Sequence, residues 1–161
     1  MSVEGVNGSG DAGRAVAIAS DHRGYGLKQR LIKALGDAGF ETVDLGTEDD
    51  GACDYPDFAC PVAELVSRGD ATRGILICGT GIGMSIVANK FAGVRAASVN
   101  DEVMAEISRR HNDVNVLCLA GDLIGGRDIS DTVLMWLRTD FDGGRHSARI
   151  EKIKDVEDRL R

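Results

Sequence analysis

Aromatic residues are scarce in this chain: Phe, Tyr and Trp make up 4% of its 161 residues. Few rings are available to stack a flavin, which disfavours a flavodoxin-like redox module. Basic charge is short as well, with 19 Lys and Arg against 26 Asp and Glu and a formal net charge of −7. That balance argues against general binding to nucleic acid or to an acidic membrane surface, since either needs a basic face. No apolar run approaches the ~18 residues of a membrane span, and the N-terminus lacks a signal-peptide core. The cysteines Cys53, Cys60, Cys78 and Cys118 form no C-x-x-C pair. They read as free thiols rather than as a disulfide framework. These absences point to a reduced, cytoplasmic protein.

What is present is 43% hydrophobic and includes 21 glycines. With so few rings, the core must be built from Val, Ile, Leu and Ala, the composition of buried parallel strands flanked by helices. Residues 1–13 are rich in Gly and Ser without apolar periodicity and are expected to form a disordered leader. Residues 14–161 are expected to form one domain. There, apolar strand-like runs (15–19, 42–45, 75–78, 94–99 and 114–119) alternate with segments of helical spacing. The last helix, from about His146 to Leu160, is less apolar than the others and follows Gly143-Gly144, a hinge that would let it pack on a partner subunit. The pattern predicts an α/β fold: a five-stranded parallel sheet with helices on both faces, in an order such as 2-1-3-4-5. Open sheets of this kind bind ligands where the strand order reverses, between strands one and three. The loops leaving those strands are Ser20-Asp-His-Arg-Gly24 and Cys78-Gly-Thr-Gly-Ile-Gly83.

The second loop carries the strongest chemical signal. A cysteine ends a β-type run, and Gly79, Gly81 and Gly83 follow at alternate positions. Glycines in such a turn let backbone N–H groups converge on one point, which suits an anion and favours a thiolate. The plainer reading is a strand–helix turn that uses glycine for close packing. The loop is not a Walker A sequence, because no G-K-[ST] follows it. All three histidines lie beside polar groups, as Asp21-His22, Arg110-His111-Asn112-Asp113 and Arg145-His146. None has H-x-H or H-x-x-x-H spacing, so no metal site is indicated. Arg145 and Arg149 stand four apart on one helical face, either as a phosphate clamp or as a solvated face paired with Glu151. A thiol base, an oxyanion nest, a histidine acid and a phosphate grip together fit proton abstraction beside a carbonyl, the chemistry of aldose–ketose isomerases, which requires no cofactor.

Taken in order, the motifs Ala19-Ser-Asp-His-Arg-Gly24, Asp54-Tyr-Pro56, Ile75-Leu-Ile-Cys-Gly-Thr-Gly-Ile-Gly83, Ala88-Asn-Lys-Phe-Ala-Gly-Val-Arg-Ala96, Arg110-His-Asn-Asp113 and Gly143-Gly-Arg-His146 resemble one family. It is ribose-5-phosphate isomerase type B, with the galactose-6-phosphate isomerase subunits as relatives. The resemblance implies a Rossmann-like three-layer sandwich, assembled as homodimers or homotetramers with sites shared between subunits. It implies that Cys78 moves a proton between C1 and C2 of a sugar phosphate. The N–H groups of Gly79 to Met84, including Gly81 and Gly83, would hold the enediolate, with Thr80 beside them. His111 would open the sugar ring and Asn112 would bind sugar oxygens. Asp21 and Tyr55 would contact the sugar, while His22, Arg145 and Arg149 would hold the phosphate. Some members place a glutamate six positions after the cysteine site and lack the cysteine; Met84 stands there in this chain, which leaves Cys78 as the base.

One departure stands out. The family pattern after strand five, N-V-L-x-x-G-x-R, ends in a phosphate-binding arginine, but this chain reads Asn115-Val-Leu-Cys-Leu-Ala-Gly-Asp122. A carboxylate at that point repels a phosphate dianion unless a cation screens it. Either another residue, such as Arg110 or Arg127, supplies the charge, or the substrate differs. Rival readings are the same chemistry on a galactose, allose or tetrose phosphate, and a sugar-phosphate- or nucleotide-binding domain without catalysis.

Overall fold

The computed structural model describes residues 15–160, so the leader expected at residues 1–13 lies outside the described residues. Five strands form one sheet: β1 (Val16–Ser20), β2 (Thr42–Asp44), β3 (Arg73–Cys78), β4 (Ala96–Ser98) and β5 (Val116–Ala120). Every pairing is parallel. Between and after the strands run α1 (Tyr25–Asp37), α2 (Tyr55–Arg68), α3 (Ile82–Ala88), α4 (Glu102–Asn112), α5 (Gly121–Ile124), α6 (Ser130–Arg138), a 3₁₀ turn (Gly144–His146) and α7 (Ser147–Arg159).

The strand order is 2-1-3-5-4, not the expected 2-1-3-4-5. The reason lies in the side chains. Val116-Leu-Cys-Leu-Ala120 is apolar throughout and buried at every residue, as a strand covered on both faces must be. Ala96-Ala-Ser98 is short and only half-buried, which suits the edge. The reversal between β1 and β3 is unaffected.

Alternation along the three central strands builds two cores. Val16, Ile18, Ile75, Ile77, Leu117 and Leu119 face α1, α4, α5 and α6, with Trp136 among them. Ala17, Ala19, Leu76, Cys78, Val116 and Cys118 face α2 and α3. The second face uses small residues so that α2 can sit close. A Cβ on Gly74 would lie 2.8 Å from Val62 of that helix. Pro56 in the first turn of α2, with Asp54 before it, sets where the helix begins and so where Tyr55 stands. No described helix is long and apolar enough to cross a membrane.

The polar residues inside have structural partners. Lys28 is fully buried and donates to Asp44 at 2.5 Å and to the Thr47 carbonyl at 2.8 Å, tying α1 to the chain after β2. Arg109 is buried under Trp136 and donates to Asp113, to the Val114 carbonyl and to the Thr139 carbonyl. Burial pushes its guanidinium pKa down.

Candidate functional site

At the edge where the strands end, the loops after β1, β3 and β5 meet. Cys78 is the last residue of β3 and is 5% exposed. The Gly81 N–H donates to its Sγ at 3.2 Å. Gly81 holds φ +73°, and a Cβ there would lie 2.7 Å from the Ser98 hydroxyl, so only glycine lets the loop fold back over the thiol. The N–H groups of Gly79, Thr80, Gly83 and Met84 have no hydrogen-bond partner among the described residues. Ile82 N–H is capped by the Thr80 hydroxyl at 3.3 Å. The Met84 side chain is fully buried, so only its backbone can face a ligand. Tyr55 lies across this loop: a Cβ on Gly83 would stand 2.6 Å from its ring.

Asp21 and His22 enter from β1. Asp21 is 5% exposed, and its Oδ1 accepts from the N–H groups of Arg23 (2.9 Å) and Gly24 (3.3 Å), which folds the loop around the carboxylate. The Cys53 N–H donates to His22 Nδ1 at 3.3 Å, and the Cys53 thiol stands 3.9 Å from the same nitrogen. Nδ1 as acceptor assigns the ring proton to Nε2. All four cysteines are free thiols. Burial, reinforced by Cys78, pushes the Cys118 thiol pKa strongly upward, so Cys118 stays inert.

The remaining expected residues gather elsewhere. In the β4–α4–β5 unit the helix returns antiparallel to the strands, so the end of α4 lies where β5 begins. His111 and Asn112 close that helix. The register pairs Gly74 with Val116 at that edge and Cys78 with Ala120 at the other, four residues away. At about 3.3 Å per residue the strands alone separate the two edges by about 13 Å. One chain therefore does not bring His111 to Cys78.

The second cluster has its own geometry. The His111 and His146 rings stack with centroids 4.2 Å apart and planes 8° from parallel. The Arg145 Nε donates to His146 Nε2 at 3.4 Å, and Arg149, one turn into α7, is exposed. Burial first, then the charges of His111, Arg145 and Arg149, lower the His146 pKa, with Asp142 opposing them. Donor atoms of His111, Asp142 and His146 lie within 4.8 Å of one another. The parallel rings keep their lone pairs in separate planes, and Arg110 already holds Asp142 at 3.1 Å, so the cluster is poorly shaped for one ion.

Asp122 is paired, and neither Arg110 nor Arg127, the arginines named as able to replace the missing phosphate-binding charge, is its partner. Arg110 is engaged by Asp142 and Glu106, and Arg127 by the Ile124 carbonyl. The partner is Arg23, whose Nε lies 2.6 Å from Asp122 Oδ2. Sequence reasoning missed Arg23 and Ser98. The one available signal for Arg23 was its place next to His22 in a loop already marked as functional.

The model for the ribose/galactose isomerase family matches residues 16–153. A putative sugar phosphate isomerase of Bacillus subtilis is 46% identical over 145 residues, covering 89% of this chain and 97% of that protein. The ribose-5-phosphate isomerase B of Escherichia coli is 42% identical, covering 91% and 98%. Among solved structures, ribose-5-phosphate isomerase B of Clostridium thermocellum superposes with a TM-score of 0.88 at 45% identity, over 91% of this chain and 99% of that one. The Mycoplasma genitalium enzyme with bound ribulose 5-phosphate gives 0.86 at 42%, over 91% and 97%. On motifs, fold and these likenesses together, the chain belongs to the ribose/galactose isomerase family.

Proposed function

We propose that this protein interconverts ribose 5-phosphate and ribulose 5-phosphate by proton transfer through an enediolate, in sites that two subunits share. The observation that carries the chemistry is the Cys78 Sγ, held at 3.2 Å by the Gly81 N–H beneath a loop with four unpartnered amides. The Cys78 thiolate takes the proton from C2 of the open-chain aldose and returns it to C1, while the O2 hydroxyl proton passes to O1. Charge that develops on the oxygens meets the amides of Gly79, Thr80, Gly83 and Met84. The step is redox-neutral and draws on no cofactor.

His111, Asn112, Arg145 and Arg149 complete the site from the partner subunit. His111 transfers the proton that opens the furanose ring, and the arginines hold the phosphate together with His22. Asp21 and Tyr55 bind the sugar. A second copy is the occupant favoured for the apolar groove of about 830 Å³ between α7 and the β4–α4 edge. Met104, Ile107, Ile153, Val156 and Leu160 are exposed along it, and the half-sites at opposite edges need another chain to meet. The bound ribulose 5-phosphate of the Mycoplasma genitalium relative supports the five-carbon substrate.

Steady-state turnover across ribose 5-phosphate, allose 6-phosphate, galactose 6-phosphate and erythrose 4-phosphate tests the reading. The expected result is the highest kcat/KM with ribose 5-phosphate. Equal or better turnover of another sugar would remove the ribose assignment while keeping the chemistry.

A further inference from the structure

We propose that Arg23, held by Asp122, binds the phosphate of the substrate from the same edge of the sheet as Cys78. This rests on the functional reading above and adds a residue to it. The backbone at Arg23 is fixed from several sides. Its N–H donates to the Asp21 carboxylate at 2.9 Å. The Gly24 that follows is pressed so close to β3 that a Cβ would stand 2.6 Å from Ile77. A Cβ on Gly121 would lie 3.0 Å from the Arg23 carbonyl and 3.3 Å from that of Cys78. The loop after β1 and the ends of β3 and β5 are thus in mutual contact around this residue.

The side chain crosses the start of the cysteine loop. A Cβ added to Gly79 would meet Asp122 Oδ2 at 2.7 Å and Arg23 Nε at 3.2 Å, so the ion pair lies directly over the residue after Cys78. The Asp122 N–H donates to the Gly79 carbonyl at 3.1 Å, which ties the carboxylate to the same point. Arg23 uses only its Nε in this pair, and its two Nη groups have no partner among the described residues. A guanidinium fixed through Nε presents Nη1 and Nη2 as a free, planar fork, the geometry that takes two phosphate oxygens at once. Its side chain is 55% exposed, so the fork opens to solvent.

The charges around it say which sign of ligand it serves. Asp21 and Asp122 are the carboxylates on these loops, and His22, which accepts a hydrogen bond at Nδ1, offers its Nε2–H as a donor. Arg23 is the cation that keeps a phosphate from facing two carboxylates unscreened. The nearest buried cation in the same segment, Lys28, is already spent on Asp44 and Thr47. Asp122 is therefore tolerable beside a phosphate only while Arg23 is present, and that dependence has a sign that can be measured.

The test uses the full-length protein, its Arg23→Ala variant and the Arg23→Ala/Asp122→Asn double variant, with circular dichroism to confirm that each is folded. Arg23→Ala should raise KM for ribose 5-phosphate, and the inhibition constant of inorganic phosphate, by roughly tenfold or more, with kcat changed far less. The double variant should recover part of that loss, because the carboxylate left unpaired by the single change is gone. An unchanged KM in Arg23→Ala, or a double variant no better than the single one, overturns the proposal. If the parent protein turns over no sugar phosphate, the functional reading fails and Arg23 is judged by inorganic phosphate alone. ³¹P line broadening that weakens in Arg23→Ala then supports the anion site, and equal broadening in parent and variant rejects it.

Discussion

His111 and His146 stack ring on ring at 4.2 Å, in a cluster where burial is the first cause of a lowered His146 pKa. His146 also accepts from Arg145, which leaves its own proton on Nδ1. Burial and the neighbouring positive charges depress its pKa, so the folded protein takes up this proton at lower pH than the unfolded chain does. Below about pH 6.5 the unfolded state therefore binds more protons, and stability falls as the pH drops. Asp142, held by Arg110, has a pKa lowered from the carboxylate range, so its contribution is lost only at still lower pH. Thermal melts between pH 7 and pH 5 should show a smaller fall for His146→Gln than for the parent. Parallel curves would mean that His146 is not held neutral.

Cys78 and Cys118 sit on the same face of adjacent strands yet should behave oppositely. Cys78→Ala should lower kcat by 10²–10⁴-fold, the usual range for loss of a positioned base, while the protein still binds sugar phosphate. Iodoacetamide should abolish activity by modifying Cys78, and substrate should protect it. Cys118, with its thiol pKa driven up by burial, should stay unmodified in the native protein. Peptide mass mapping reads both outcomes, and full activity after complete labelling of Cys78 would remove it from the reaction.

Gly83 and Tyr55 form a contact with no room for a methyl group. Gly83→Ala should push the ring away from the loop and lower kcat/KM by roughly tenfold, the scale set by losing one good contact in the transition state. Tyr55 is 38% exposed and can swing outward, so the melting temperature should change little. A large fall in melting temperature with kcat/KM preserved would make the contact structural.

The sequence carried the sheet and its reversal well. The five apolar runs, and the loops after the first and third of them, lie where their periodicity and glycines put them; the clearest of these runs become β1, β3 and β5, which are buried along nearly their whole length. The order of the last two strands was harder. Chain connection rules permit either order, and only the contrast between Val116-Leu-Cys-Leu-Ala120 and Ala96-Ala-Ser98 marks which strand is central. The short α5 escaped notice because four residues starting with glycine carry no helical period. Arg23 and Asp122 are 99 positions apart, and they meet only because β1 and β5 flank β3. Nothing local to either residue signals the pair. The placement of His111 and Cys78 at opposite edges follows from the direction of one helix relative to its strands, a property of topology rather than of either motif.

A site built from residues of two subunits can be tested by complementation between two inactive variants. Cys78→Ala and His111→Ala chains, co-expressed with different tags and purified as the mixed species, carry one intact site and one doubly disabled site in each dimer. Turnover of ribose 5-phosphate by that mixed dimer should return to about half the parent value, as two-fold symmetry requires, while each variant alone stays nearly inactive. A mixed dimer as inactive as the two variants would contradict a site built from both subunits.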